Sequence, residues 1–302
     1  MKIILLFVDG LGIGDDNPEA NPLFRAGMKN LRTMLGGELP TKKKPWISFD
    51  GAIAKPVDAL LGVEGLPQSG TGQLAIFTGI NGPRVHGCHF GPYPPTGLRD
   101  VLESDNIFAQ LLRRQKNVVF ANAFPRQFFE YVQRGTRRLT VTTLSCLAAG
   151  IALRTADHLA NDEAVSADLT RERWRDLGYP NLAVITARQS GAHLAQLSAK
   201  HDFTLFEYWL TDHAGHKKNF RFAAEVLERF DEFLGGVLEH FDHGRQLLVI
   251  ISDHGNIEDL STKTHTRNDV PCITTGLRAG EFAQHIHNIT HITPTIVDFL
   301  TD

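Results

Sequence analysis

Three aspartates in this sequence stand where apolar runs stop, and that placement is the first sign of chemistry. The run 3–8 leads into Asp9, the run 203–211 into Asp212, and the run 247–252 into Asp253. Histidines follow closely: His216 lies four residues after Asp212, His254 directly after Asp253, and His265 soon after that. Any one carboxylate at a strand end is as well explained as a cap on the next helix as by a ligand role. Three together differ, because clustered carboxylates repel one another unless a cation or protons neutralise them. Carboxylate oxygen and imidazole nitrogen suit zinc or manganese better than magnesium or copper(I).

A nucleophile is offered by the segment 66–73, Leu-Pro-Gln-Ser-Gly-Thr-Gly-Gln, which precedes a helix expected to run through 74–78. Glycines let backbone approach an oxyanion, and a helix N-terminus favours negative charge. Ser69 or Thr71 could equally cap the first turn, and without the aspartates and histidines that reading would be preferred. His86 and His89 flank Cys88 with no zinc-binding spacing, so that loop is read as structural or substrate-contacting. Asp157 and His158 fall in a helix-prone stretch and are read as surface.

These residues need a scaffold. The runs 3–8, 117–123, 182–186, 203–210 and 247–252 read as buried strands, while apolar residues at helical spacing over 220–241 form one stripe. Strand, helix and strand in succession predict an α/β fold, a mostly parallel sheet with helices on both faces and its chemistry at the carboxyl ends of the strands. The stretch 126–180 lacks a strand pattern and reads as a small helical lid or cap. The expected division is therefore a catalytic core of 1–125 and 181–302 with an insertion of 126–180.

Composition narrows the partners. A chain of 302 residues with 42% hydrophobic content can bury a full core. Thirty-one basic against thirty-four acidic side chains give a net charge of −3, which provides no field for nucleic acid or an anionic membrane. A small molecule is the expected partner; the oligomeric state is left open. Three widely spaced cysteines, Cys88, Cys146 and Cys272, argue against a disulfide framework, and no apolar run approaches a membrane span, so a cytoplasmic protein is expected.

Taken in order, Val8-Asp9-Gly10, Ser69-Gly70-Thr71-Gly72, Asp212-His213-Ala214-Gly215-His216, Ser252-Asp253-His254-Gly255-Asn256 and His265-Thr266 resemble the cofactor-independent phosphoglycerate mutase and phosphopentomutase branch of the alkaline phosphatase superfamily. The resemblance implies an alkaline phosphatase-like core and two divalent metal ions, manganese or zinc. It groups Asp9, Ser69, Asp253 and His254 around one ion and Asp212, His216 and His265 around the other, with Ser69 as nucleophile. Two departures bear on activity: Gln73 stands where the mutases carry His, and no segment here matches their large second domain. The expectation is a hydrolase acting through a phosphoserine on a small phosphorylated metabolite, with phosphomutase next, then phosphodiesterase or sulfatase.

Two readings of other classes are also on the page. A metal-free serine hydrolase would want glycine two residues before Ser69, where Pro67 stands. A nucleotide-binding module is suggested by Gly10, Gly12 and Gly14 after the first strand, but the third glycine comes one residue early for the dinucleotide fingerprint.

Overall fold

Runs of Ile, Leu, Val and Phe make the centre of a single sheet. The computed structural model describes residues 1–135 and 138–302; Thr136 and Arg137, inside the expected insertion, lie outside the described residues. Among those described, the strands are β1 (Lys2–Val8), β2 (Ile47–Phe49), β3 (Ala52–Val57), β4 (Val118–Phe120), β5 (Phe203–Tyr208), β6 (Gln246–Ile251) and β7 (Val270–Gly276), in the order β2-β3-β7-β6-β1-β5-β4. The block β4-β5-β1-β6 is parallel. From β6 outward, β7, β3 and β2 pair antiparallel.

The period-two alternation of β1 divides the core. Ile4, Leu6 and Val8 pack on one face with the helices Ala187–Ser198 and Phe220–Glu239. Ile3, Leu5 and Phe7 pack on the other with Ser69–Thr78 and Ile292–Thr301. Strands covered on both faces are mostly apolar, which is why β1, β5 and β6 read so clearly in the sequence. No helix among the described residues is long and apolar enough to cross a membrane.

One expected strand is absent. Residues 182–186 pair with no neighbouring strand, and Ala183 and Val184 are exposed. Thr186 instead begins the helix Ala187–Ser198 through a capping box with Gln189, and that local hydrogen bonding outweighs the β-propensity of Val184 and Ile185. Conversely β2, β3 and β7 had no clear signal, since β3 carries Lys55 and Pro56, and β7 carries Pro271 and two threonines.

Within 126–180 lie the helices Arg126–Gln133, Val141–Ala148 and Ala156–Ala160 and a turn at Glu172–Trp174. Isolated bridges from Asn122 to Val165 and from Ala123 to Arg154 fix the segment beyond the end of β4. Val141–Ala148 is not peripheral: Val141 and Cys146 belong to the core cluster that also holds Ala75, Ile76 and Phe77.

The helices Ala187–Ser198 and Phe220–Glu239 meet backbone to backbone at two glycines. A Cβ on Gly236 would lie 1.9 Å from the Arg188 carbonyl oxygen, and one on Gly191 would lie 2.0 Å from that of Phe233. Neither backbone can yield without separating the helices. Gly236→Ala is expected to lower stability by about 1–3 kcal/mol despite the better helix propensity of alanine, read as a reduced urea midpoint. An unchanged midpoint would show that the helices slide apart without cost.

Candidate metal centre

The carboxyl ends of β1, β5 and β6 lie side by side, so residues far apart in sequence emerge at one edge of the sheet. Asp9 follows β1 directly, and Asp253 and His254 follow β6 after Ser252. Asp212 differs from expectation: β5 ends at Tyr208 and the chain turns at Trp209, so Asp212 occupies the first turn of the helix Leu210–Lys217. His216 then falls one helical turn later, its Nε2 3.4 Å from Asp212 Oδ2. A carboxylate in that first turn is also favoured by the helix dipole.

The histidines are held in defined tautomers by their partners. His265 Nδ1 is 2.7 Å from the Pro67 carbonyl oxygen, and His216 Nδ1 is 3.2 Å from that of Lys263. A carbonyl only accepts, so each Nδ1 carries the proton and donates. In the neutral rings both Nε2 atoms are then bare lone pairs, and they face each other at 3.1 Å, with Asp212 Oδ1 3.5 Å from His265 Nε2. Two lone pairs and a carboxylate at these separations need a positive charge among them. In the free protein a proton can serve, and the hydrogen bond with Asp212 does raise the His216 pKa. A divalent ion fits the same donor set.

Beside it, His254 Nε2 lies 3.0 Å from Ser69 Oγ, 3.4 Å from Asp9 Oδ1 and 3.5 Å from Asp253 Oδ2. Asp9 Oδ1 and Asp253 Oδ2 are buried without a hydrogen-bond partner. Orphaned carboxylate oxygens at a buried site cost free energy unless something compensates them, and a cation is the natural compensation. Donor atoms of Asp212, His216 and His265 fall within 4.8 Å of one another, and so do those of Asp9, Asp212 and His254. Asp212 thus stands between two donor groups, while Asp253 lies outside both triplets and reaches the site through Oδ2.

Burial sets the electrostatics. It raises the carboxyl of Asp9 well above the usual range, with the charges of Asp253 and Asp212 adding to the shift, and it raises that of Asp253 as well. For Asp212 burial also acts upward, but hydrogen bonds from His216 and Asn256 and nearby imidazole charge outweigh it and leave the carboxyl below its ordinary value. Burial lowers His254 and His265 to about 4, so both rings are neutral near neutral pH.

Ser69 opens the helix Ser69–Thr78, and the capping alternative does not describe it: Gln68 occupies the N-cap position without a side-chain cap. Thr71 Oγ1 instead accepts from the Phe90 amide at 3.1 Å and so braces the loop. Gly70 has no room for a side chain, since a Cβ there would lie 2.1 Å from the Tyr93 carbonyl oxygen. Gln73, the departure noted in the sequence, donates from Nε2 to Asp9 Oδ2 at 3.1 Å and leaves Asp9 Oδ1 facing His254. The substitution therefore still positions a donor of the site.

Glycines at 10, 12 and 14 have a packing cause that leaves no phosphate cradle. A Cβ on Gly10 would lie 2.9 Å from Asp212 Cβ, one on Gly12 2.3 Å from Glu258 Oε1, and one on Gly14 2.8 Å from the Glu258 carbonyl oxygen. Glu258 accepts from the amides of Gly12 and Asn256 and so ties the Asp9 loop to the Asp253 loop. Nor does the Ser69–His254 contact complete a triad, because His254 Nδ1 is buried with no carboxylate to orient it among the described residues.

Sequence reasoning missed Glu207. It is buried near the end of β5, accepts from Thr142 Oγ1 at 2.6 Å, and burial raises its carboxyl to about 7. A lone glutamate in the otherwise apolar run 203–208 was the available signal. His86, Cys88 and His89 are not brought to this centre: His89 Nε2 lies 3.3 Å from the Val63 carbonyl oxygen, and Cys88 is exposed. His158 caps its own helix through Thr155, in keeping with the surface reading.

Comparison with known proteins shows what the chain is similar to. Residues 186–301 match the family model described as Metalloenzyme superfamily. A phosphopentomutase of Clostridium perfringens is 47% identical over 57 residues, 19% of this chain and 14% of that protein. A 2,3-bisphosphoglycerate-independent phosphoglycerate mutase of Pyrococcus abyssi is 21% identical across 89% of this chain and 70% of its own length. Matches to mutases of Thermococcus kodakarensis and Methanosarcina acetivorans span 19% and 21% of those proteins, so most of their length has no counterpart in the aligned part of this chain. The solved alkaline phosphatase from the Antarctic bacterium TAB5 superposes with a TM-score of 0.57 at 15% identity, over 99% of this chain and 98% of that one, which establishes a shared fold.

Proposed function

We propose that this chain, which matches the Metalloenzyme superfamily model over residues 186–301 and shares the alkaline phosphatase fold, is a two-metal phosphate-ester hydrolase whose nucleophile is Ser69 and whose substrate is a small phosphorylated molecule. The observation that carries the reading is the pair of bare Nε2 atoms at 3.1 Å beside Asp212, next to the orphaned oxygens of Asp9 and Asp253 around Ser69 Oγ. Asp9, Ser69, Asp253 and His254 would hold one ion, and Asp212, His216 and His265 the other. Manganese and zinc both suit this donor set. When bound, the ions lower the pKa of a serine hydroxyl and offset charge on phosphoryl oxygens.

The chain's own groups then account for the transfer. Ser69 Oγ attacks phosphorus, the bond from phosphorus to the ester oxygen breaks, and the departing alcohol takes up a proton. A phosphoseryl ester is left, and water attacking its phosphorus returns Ser69 and releases inorganic phosphate. The helix start at Ser69 lends its amide dipoles to the anion. Transfer from phosphoserine to a second hydroxyl of a retained alcohol would make the same site a phosphomutase. A panel of phosphorylated metabolites with added manganese or zinc, read for both phosphate release and isomer formation, tests the reading and separates the two outcomes. No release and no isomer with either metal would sink it.

Proton competition adds a pH expectation. The Asp253 carboxyl is pushed up to about 7, chiefly by burial, so below that pH the metal-free site holds a proton that an entering ion must displace. His254 and His265 compete little at pH 5–7 because their pKa values lie at about 4. Asp9 and His216, both raised above their ordinary values, also hold protons that an ion must displace, so metal affinity should rise by at least about tenfold per pH unit from 5 to 7. Calorimetric titration checks this, and an affinity independent of pH over that range would contradict it.

A further inference from the structure

The metal centre opens into a cavity of about 730 Å³ whose far wall comes from the segment 122–177. We propose that this cavity receives the organic part of the ester and selects a largely apolar, ring-bearing group, with the phosphate at Ser69. The inference rests on the phosphate-ester reading above and names its substrate class.

The wall is mostly apolar, and the argument turns on Tyr93, Phe124, Phe128, Trp174, Leu177 and Trp209. Several of the polar residues that share the lining are already committed to one another or to the backbone. Asn122 exchanges two hydrogen bonds with the Glu207 backbone. Ser166 Oγ donates to Asp168 and accepts from Trp174 Nε1, and Asp168 also accepts from the Arg171 and Arg173 amides. Thr140 caps the helix Val141–Ala148. Arg138 and Arg173, which also touch the cavity, are exposed. A polyol entering here would give up water at each hydroxyl and find few partners, whereas an apolar group gains by the same transfer.

Ring shape follows from the walls themselves. Phe124 and Phe128 pack with centroids 4.4 Å apart and planes tilted by 31°. Trp209 stands at the mouth of the site beside Asp212 and remains 38% exposed, an unusual position for so large an apolar side chain next to a buried polar centre. Flat aromatic faces are best matched by another ring, offset or edge-on.

The test compares three phosphate monoesters of primary alcohols, so that leaving-group chemistry is matched: naphthylethyl phosphate, hexyl phosphate and glycerol phosphate, each with the manganese-loaded protein. The expected order of kcat/KM is naphthylethyl, hexyl, glycerol, with about a hundredfold between first and last. Phe128→Ala should narrow that ratio by about tenfold through KM for naphthylethyl phosphate, and Phe128→Trp should preserve it. If Phe128→Ala does not fold, the substrate order of the unaltered protein decides. Equal kcat/KM for glycerol and naphthylethyl phosphates would keep the hydrolase reading and overturn the cavity proposal. Hexyl above naphthylethyl would overturn the ring. No phosphate released or transferred from any ester, in this set or the metabolite panel, would overturn the hydrolase reading and this inference with it.

Discussion

Ser69→Ala protein should keep both metal positions filled and lose phosphate-ester turnover by at least about a thousandfold. On the proposed scheme the serine is one donor among several, and water would take the place of its oxygen beside Asp9, Asp253 and His254. The neighbouring hydroxyl is not placed to take its part: Thr71 Oγ1 is engaged with the Phe90 amide and lies two residues further along the helix. Thr71→Ala should accordingly be the milder change, acting through the loop. Two measurements decide. Elemental analysis of Ser69→Ala reports the metals, and peptide mass spectrometry after brief reaction of the unaltered protein locates the phosphoryl group. Label on Thr71 would mean that the nucleophile has been misassigned, and substantial activity in Ser69→Ala would end the covalent scheme.

Removal of a ligand should act on metal, activity and stability together. Asp253→Ala and His265→Ala are each expected to cost about one ion per chain and, with it, nearly all turnover. Stability is linked because the folded site binds the ion and the unfolded chain does not: at a metal concentration a hundredfold above Kd, binding contributes about 2.7 kcal/mol. For a chain of this length that corresponds to a Tm shift of about 5 °C or more between metal-loaded and chelated protein. His265→Ala should lose most of that shift, because it also removes the Nε2 that His216 faces at 3.1 Å. Full activity in protein shown by elemental analysis to hold no metal would refute the two-ion scheme, and an unchanged Tm after chelation would refute the coupling.

The parts of this molecule legible in the sequence are those whose cause is local. Strands β1, β5 and β6 are buried on both faces, so their runs are almost wholly apolar, with Thr204 and Glu207 of β5 the inner exceptions, and the point where each run stops marks Asp9, Asp253 and the turn before Asp212. The helix Phe220–Glu239 announces itself by its stripe, and Ser69 by glycines at the start of a helix. Where local signals and long-range pairing disagree, the sequence misleads. Residues 182–186 have β-propensity but no partner strand, whereas β3 and β7 contain prolines and polar residues yet pair with each other and with β6.

What only the tertiary structure decided is the set of distances on which the chemistry depends. His265 Nδ1 meets the Pro67 carbonyl across 198 residues of chain, Thr142 meets Glu207 across 65, and Ser69 meets His254 across 185. Residue types and spacing determined which donors exist. Whether Asp212 would stand between two donor groups, whether Gln73 would hold Asp9, and whether aromatic residues of 122–177 would close a cavity over Ser69 depended on the packing of separate elements. The physical reason is that propensity and periodicity act over a few residues, whereas a site at a sheet edge is assembled by strand order and loop closure, which no local pattern records.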